Sequence, residues 1–234
     1  METLKSYEIR NDIICIEHPM SHGVVRSFLI KGEDKAYLID TGLGQNLIED
    51  KVKSCTSLPI TVIFTHSDGD HMGNADAFSE RYMHPLEIKH YQSRKENPLS
   101  LKEITENDLI HCGEYSFEII LIPGHTPGSI ALYDRQHRFM IGGDSLQCGP
   151  IFLFGTGRNL DAYLSSLEKI EKMSDRLDVI YASHNELEFN PQHIQQLKEG
   201  ILSYQNNQLT GIPQERFENK VKKYEYKNIS FYAE

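Results

Sequence analysis

Long hydrophobic runs are missing from this chain. A bilayer-spanning helix needs roughly 18 or more apolar residues in succession, and no such run occurs. The opening residues Met1-Glu2-Thr3-Leu4-Lys5 lack the basic segment and apolar stretch of a secretory leader, so the cytoplasm is the expected compartment. Positive charge is also scarce. The balance is 24 Lys and Arg against 34 Asp and Glu, a formal net charge of -10, whereas a duplex-binding protein needs a basic face to neutralise phosphates. The local basic stretches at 51–53 and 220–227 read as a solvated helix face and a solvated tail. Neither nucleic acid nor membrane is therefore an expected partner. A small-molecule substrate is, and a homodimer is left open. The four cysteines Cys15, Cys55, Cys112 and Cys148 form no CxxC pair; this excludes zinc-finger spacing and reads as reduced thiols.

What is present suits a globular α/β chain. The 234 residues are 39% hydrophobic and 25% charged, enough to bury a core without disulfides or a structural metal. One domain over 1–210 is expected, with a polar tail at 211–234 whose alternating Tyr224, Tyr226, Ile229 and Phe231 suggest an edge strand. Apolar and β-branched runs predict strands at 12–16, 24–30, 35–40, 60–64, 117–122, 130–133, 138–141 and 179–182. Helical spacing predicts helices over 47–55 (Leu47, Ile48, Val52) and 160–173. Two more, 85–95 and 191–204, open on a proline. Polar clusters follow four of the strands directly: 66–71, His125, Asp144 and His184. Loops at strand ends are where a rigid scaffold presents chemistry.

The densest cluster is Thr65-His66-Ser67-Asp68-Gly69-Asp70-His71. Imidazole and carboxylate are ligands for zinc, iron and manganese. In an extended loop His66 and Asp68 project to one side, with Asp70 and His71 following as the chain turns, so the loop could serve two metals. A pair of metals about 3.5–4 Å apart can clamp a substrate oxygen and activate water. A plain polar turn is the rival reading, because Ser-Asp-Gly-Asp is also good turn sequence.

The segment resembles the HxHxDH signature of the metallo-β-lactamase superfamily, and further motifs follow in that family's order. Leu38-Ile39-Asp40-Thr41-Gly42 resembles IDTG, Gly124-His125-Thr126-Pro127-Gly128 resembles GHTPG, Gly142-Gly143-Asp144 its GD motif, and Ser183-His184 its final histidine. The resemblance covers about residues 13–195. It implies an αββα sandwich, two mixed β-sheets with helices on the outer faces. It also implies a dinuclear metal hydrolase in which His66, Asp68 and His125 hold one metal, Asp70, His71 and His184 the other, and Asp144 bridges them. A metal-bridging hydroxide would attack the substrate, with Asp70 orienting it and carrying a proton. Asp40 would hold a ligand imidazole or loop by hydrogen bonds; a strand-end cap is its rival role.

The chain departs from that signature at one position, where Asp68 replaces histidine. An extra anion would make the first site more negative and favour a harder metal. Two divalent ions are expected, zinc first, with iron or manganese as alternatives. The chain resembles the glyoxalase II and lactonase-like small members most, which implies hydrolysis of a thioester, lactone or phosphodiester. Two alternatives remain: a diiron oxidoreductase of flavodiiron type, suggested by the carboxylate, and a non-catalytic metal-binding member. Candidates for substrate contact are His22, Phe152, Phe154 and Arg158; an ion-paired arginine is the plainer reading of the last, and core packing serves equally for the phenylalanines.

Overall fold

The computed structural model describes residues 4–44 and 48–234, and its central strands are buried on both faces. Seven strands form the first sheet in sequence order: β1 (Lys5–Arg10), β2 (Ile13–Pro19), β3 (Val24–Lys31), β4 (Ala36–Ile39), β5 (Ile60–Ile63), β6 (Glu80–Met83) and β7 (Lys102–Glu103). The second contains β8 (Leu109–Cys112), β9 (Tyr115–Leu121), β10 (Ile130–Asp134), β11 (Phe139–Ile141), β13 (Val179–Tyr181) and β14 (Glu188–Phe189), in the order β14-β13-β11-β10-β9-β8. The alternation of side chains along a strand sorts neighbours into different layers. Ile119, Ile130 and Leu132 face the first sheet, where they meet Phe28, Ile39 and Ile63. Ile120, Ala131 and Tyr133 face outward onto helices.

Those helices are α4 (Leu160–Glu171) and α5 (His193–Gln205), which supply Tyr163, Leu167, Ile170, Ile194, Leu197 and Ile201 to the outer core. On the far side, α1 (Ile48–Cys55) and α3 (Pro85–Ser93), with the single turn α2 (Gly69–Met72) between them in sequence, cover the first sheet, with Ile48, Val52 and Tyr91 packed on Leu29, Leu38 and Val62. The helices therefore lie outside two facing sheets, an αββα arrangement. Leu47, predicted as part of α1, lies outside the described residues. The α3 helix begins at Pro85, where a missing N–H costs nothing, and Leu86 N–H donates to His84 Nδ1 at 3.3 Å. The α5 helix begins two residues after its proline.

The two-sheet expectation is incomplete. A third sheet, in the order β12-β17-β16-β15, joins β12 (Ile151–Phe152) to β17 (Ile229–Ala233), β16 (Asn219–Tyr226) and β15 (Ile212–Arg216). The segment from 211 thus supplies three strands rather than one. One face puts Tyr224, Ile229 and Phe231 into the core beneath α5. The other packs Val221 and Tyr232 on Phe154.

Strand direction then decides where chemistry can gather. The β4 and β5 strands pair in parallel, as do β11 and β13. The β9 strand runs antiparallel to β10, and β10 to β11, so β9 and β11 point the same way. Within each sheet, the loops that follow those strands leave from a common edge. They carry Asp40, His66, His125, Asp144 and His184.

Candidate metal centre

Each polar loop is built so that its imidazole is held from behind. His66 Nδ1 lies 3.0 Å from Thr65 Oγ1, His71 Nδ1 2.7 Å from Asp40 Oδ2, His125 Nδ1 3.0 Å from the Phe152 carbonyl and His184 Nδ1 2.9 Å from the Val24 carbonyl. Thr65 Oγ1 donates its own proton to Asp40 Oδ2 at 2.7 Å, so it accepts from His66. In each ring Nδ1–H is thereby the donor and Nε2 carries the free lone pair, the arrangement a metal-binding imidazole requires.

The free nitrogens converge. His66, His125 and Asp144 form one group of donor atoms mutually within 4.8 Å, and Asp70, His71 and His184 form a second. Asp144 lies between them: its Oδ2 is 3.7 Å from His125 Nε2, 4.0 Å from His66 Nε2 and 3.3 Å from His184 Nε2, while its Oδ1 is 3.1 Å from His71 Nε2. Asp70 Oδ2 is 3.3 Å from His184 Nε2. Ligands bonded at 2.0–2.1 Å in a tetrahedral zinc site are spaced roughly 3.3–3.4 Å apart, which is the lower end of these separations.

Buried groups without partners show that the donor set fits a metal. Nε2 of His66, His71 and His125 and Oδ1 of Asp144 are buried and make no hydrogen bond. Orphaned buried polar atoms cost roughly 1–3 kcal/mol each, and these four face one another. The protonation balance agrees. Burial alone would neutralise His184, but the charge of Asp144 and the neighbouring Asp70 carboxylate push it up to about 10. Burial likewise opposes charge on Asp144, yet His184 and His71 hold it well below the usual carboxylate range. Carboxylates that stay ionised beside imidazoles driven to bind protons make a site that demands cations.

Asp40 organises both halves. Its φ of 61° places a non-glycine residue in the left-handed region, a conformation tolerated where the surroundings impose it. There it accepts from Thr65 N–H at 2.8 Å, Thr65 Oγ1 and His71 Nδ1.

Asp68 has two kinds of neighbour. Its Oδ2 faces His125 Nε2 at 3.4 Å and His66 Nε2 at 3.6 Å. The same oxygen accepts from Arg158 Nη2, and Arg94 Nη1 lies 3.8 Å from Oδ1. Burial would raise its carboxyl, but the imidazoles of His125 and His66 facing it hold it well below the ordinary range. Arg158 is therefore ion-paired. Two guanidinium groups, those of Arg158 and Arg94, face the charge that Asp68 adds to the first site. The other substrate candidates separate, with His22 exposed, Phe152 half-buried and Phe154 buried. Cys148 is half-buried, with Sγ 4.0 Å from His193 Nδ1.

Glu87 carried no motif, yet it is fully buried. It accepts from Ser67 N–H at 2.9 Å and Ser67 Oγ at 2.5 Å through one oxygen, and from Gly128 N–H at 2.8 Å through the other. It staples the His66 loop to the His125 loop. Gly128 must be glycine, since a Cβ there would strike the Glu87 backbone. Arg26 plays the corresponding part for His184: its Nη2 donates to Asn185 O at 2.7 Å and its N–H to Ser183 O at 2.9 Å. Neither was visible in the sequence, because each acts on a partner far along the chain.

The sequence matches the family profile described as the metallo-beta-lactamase superfamily over residues 21–184. The chain belongs to that superfamily. It is 24% identical over 186 residues to an acyl-coenzyme A thioesterase, MBLAC2, from Gallus gallus, covering 64% of this chain and 67% of that protein. It is 29% identical over 126 residues to a hydroxyacylglutathione hydrolase from Bdellovibrio bacteriovorus, covering 53% of this chain and 48% of that protein. The chain thus spans about half to two thirds of the length of these curated relatives. Among solved structures, a metallo-beta-lactamase from Pontibacter korlensis superposes with a TM-score of 0.74 at 15% identity, over 86% of this chain and 99% of that one. That likeness supports the αββα fold. Among the described residues, no helix is long and apolar enough to cross a membrane.

Proposed function

We propose that the chain is a dinuclear metal-dependent hydrolase of an ester-like bond, with a thioester as the first candidate and a lactone or phosphodiester as the alternatives. The observation that carries this is the pair of inward-facing donor groups sharing Asp144. The named activities of two relatives, both thioester-cleaving, favour the thioester. His66, His125 and Asp144, with Asp68 at the rim, would hold one divalent ion, zinc first. Asp70, His71, His184 and Asp144 would hold the other. When bound, the two ions supply Lewis acidity and lower the pKa of water at the site.

The protein's own groups do the rest. Asp40, Thr65 and the carbonyls of Phe152 and Val24 keep four imidazoles in one tautomer, so the cage needs no reorganisation on loading. Asp70 has the most exposed carboxylate of the donor set, at 24%. It would take the proton of the attacking water and return it to the leaving group. Phe152 supplies the carbonyl that holds His125, and His22 stands two residues before Val24, whose carbonyl holds His184; both remain candidates for substrate contact. The Arg158–Asp68 contact lends the diiron oxidoreductase alternative less support than the hydrolase.

Elemental analysis of the metal-replete protein, beside assays with thioester, lactone and phosphodiester probes, tests this. About two ions per chain with preferential thioester cleavage is the expected result. Fewer than about one ion per chain, or full turnover in the presence of a strong chelator, would end the dinuclear reading.

A further inference from the structure

Asp68 is the chain's departure from the family signature, and Arg158 is what the structure sets against it. We propose that Arg158 is a positioning residue that neutralises Asp68, so that the first metal site keeps the charge, and therefore the zinc preference, of a site with histidine at that place. This rests on the dinuclear reading above and concerns which ion one of its two sites selects.

The contact is specific in its atoms. Arg158 Nη2 donates to Asp68 Oδ2, the oxygen that also faces His66 and His125. A carboxylate oxygen has two lone pairs, so it can accept from a guanidinium while facing the imidazoles. The arginine is not a chance surface neighbour. Its side chain is 12% exposed, and its Nε is buried without a partner. Its backbone is fixed on both sides: Arg158 N–H donates to Gly155 O at 3.3 Å, and Asn159 N–H to Gly124 O at 2.9 Å, beside the His125 loop. Gly157, at φ 86°, lets the turn pass against the His90 ring, where a Cβ would collide. Arg94 adds a second positive charge, with Nη1 3.8 Å from Asp68 Oδ1 and Nη2 on Ser67 Oγ at 2.5 Å. Among the described residues, no salt bridge from an arginine or lysine reaches Asp70, the aspartate of the second group. The compensation is confined to the site that carries the additional carboxylate.

An unpaired carboxylate in place of imidazole raises the relative affinity for oxygen-preferring ions such as manganese. A carboxylate whose charge is matched by guanidinium should not. Competition titrations with a chromophoric chelator, using zinc and manganese separately, read this as the zinc-over-manganese preference of each of two binding steps. In Arg158→Met that preference should fall about tenfold at one step and stay within about twofold at the other. Arg158→Lys, which keeps the charge, should stay within about threefold of the parent. In an Asp68→His background, Arg158→Met should have no effect beyond about twofold, because its partner is gone.

An unchanged preference in Arg158→Met, or a lysine variant that behaves like methionine, overturns the proposal. So does an Arg158→Met variant in which only KM rises, since that would make the arginine a substrate anchor. If Arg158→Met fails to fold, as read by circular dichroism, the lysine variant and the Asp68→His pair still decide. A parent protein that takes up fewer than about one ion per chain sinks the dinuclear reading beneath the proposal, a result distinct from any of these.

Discussion

The two halves of the candidate centre share Asp144 but are held in different ways. The half around His66 and His125 is closed: both imidazoles are 1% exposed, its loops are stapled by Glu87, and its outer carboxylate is matched by two arginines. The half around Asp70 and His184 is more open, with side chains 24% and 17% exposed, and among the described residues no arginine or lysine pairs with Asp70. The difference teaches that paired metal sites need not be electrically alike. On the dinuclear reading, the closed half would hold an ion steadily and the open half would admit water and substrate.

The largest expected effect comes from the residue that the halves share. Asp144→Ala should take metal content from about two ions per chain to below about one, read by elemental analysis; loss of a single ion would show that the halves are independent. Next comes Asp40, which braces His71 directly and His66 through Thr65. Asp40→Ala should weaken metal binding roughly 10- to 100-fold, with the greater loss at the step that needs His71. Thr65→Val should reach only the step that depends on His66, so equal losses in the two variants would erase the distinction.

Glu87 offers a smaller, purely structural contrast. Glu87→Gln turns an amide donor toward one of the N–H groups that the carboxylate now accepts from, and should cost about 3 kcal/mol in denaturant unfolding. Burial would raise the Glu87 carboxyl, but hydrogen bonds from Ser67, the charge of His66 and the Thr126 and Gly128 contacts hold it below its usual 4.5. A depressed folded-state pKa gives stability that is present above the unfolded value and is lost as pH falls through the folded one. Acid unfolding below about pH 4.5 should therefore be less steep in Glu87→Gln; an unchanged slope would remove Glu87 from the account. The smallest effect is expected at Phe217, which is 79% exposed at the β15–β16 turn. Phe217→Ser should move stability by no more than about 0.5 kcal/mol.

Much of the layered fold could be read from local pattern, because strands such as β9 and β10 announce themselves by β-branched runs and α4 by its apolar stripe. The candidate donors were equally visible as a set: they stand in short motifs just past strand ends, and the parallel strands carry those ends together. What escaped was long-range pairing. Asp68 and Arg158 are 90 residues apart, and Glu87 looks like any acidic residue in a helix's first turn. The β6 strand, Glu-Arg-Tyr-Met, is too polar to suggest a strand, and β12 is only two residues long. The third sheet is visible only once its pairing with β12 is known.

That pairing sets a timetable. The Phe152 carbonyl that holds His125 belongs to β12, and β12 has its hydrogen-bonding neighbour in Phe231 and Tyr232, about eighty residues later in synthesis. The Val24 carbonyl that holds His184 lies instead in a strand made 160 residues before that histidine. On a chain emerging from the ribosome, folding as it is made, the open half has all its braces once His184 has emerged. The closed half acquires its final one only when β17 arrives, so the order of translation orders the maturation of the two sites.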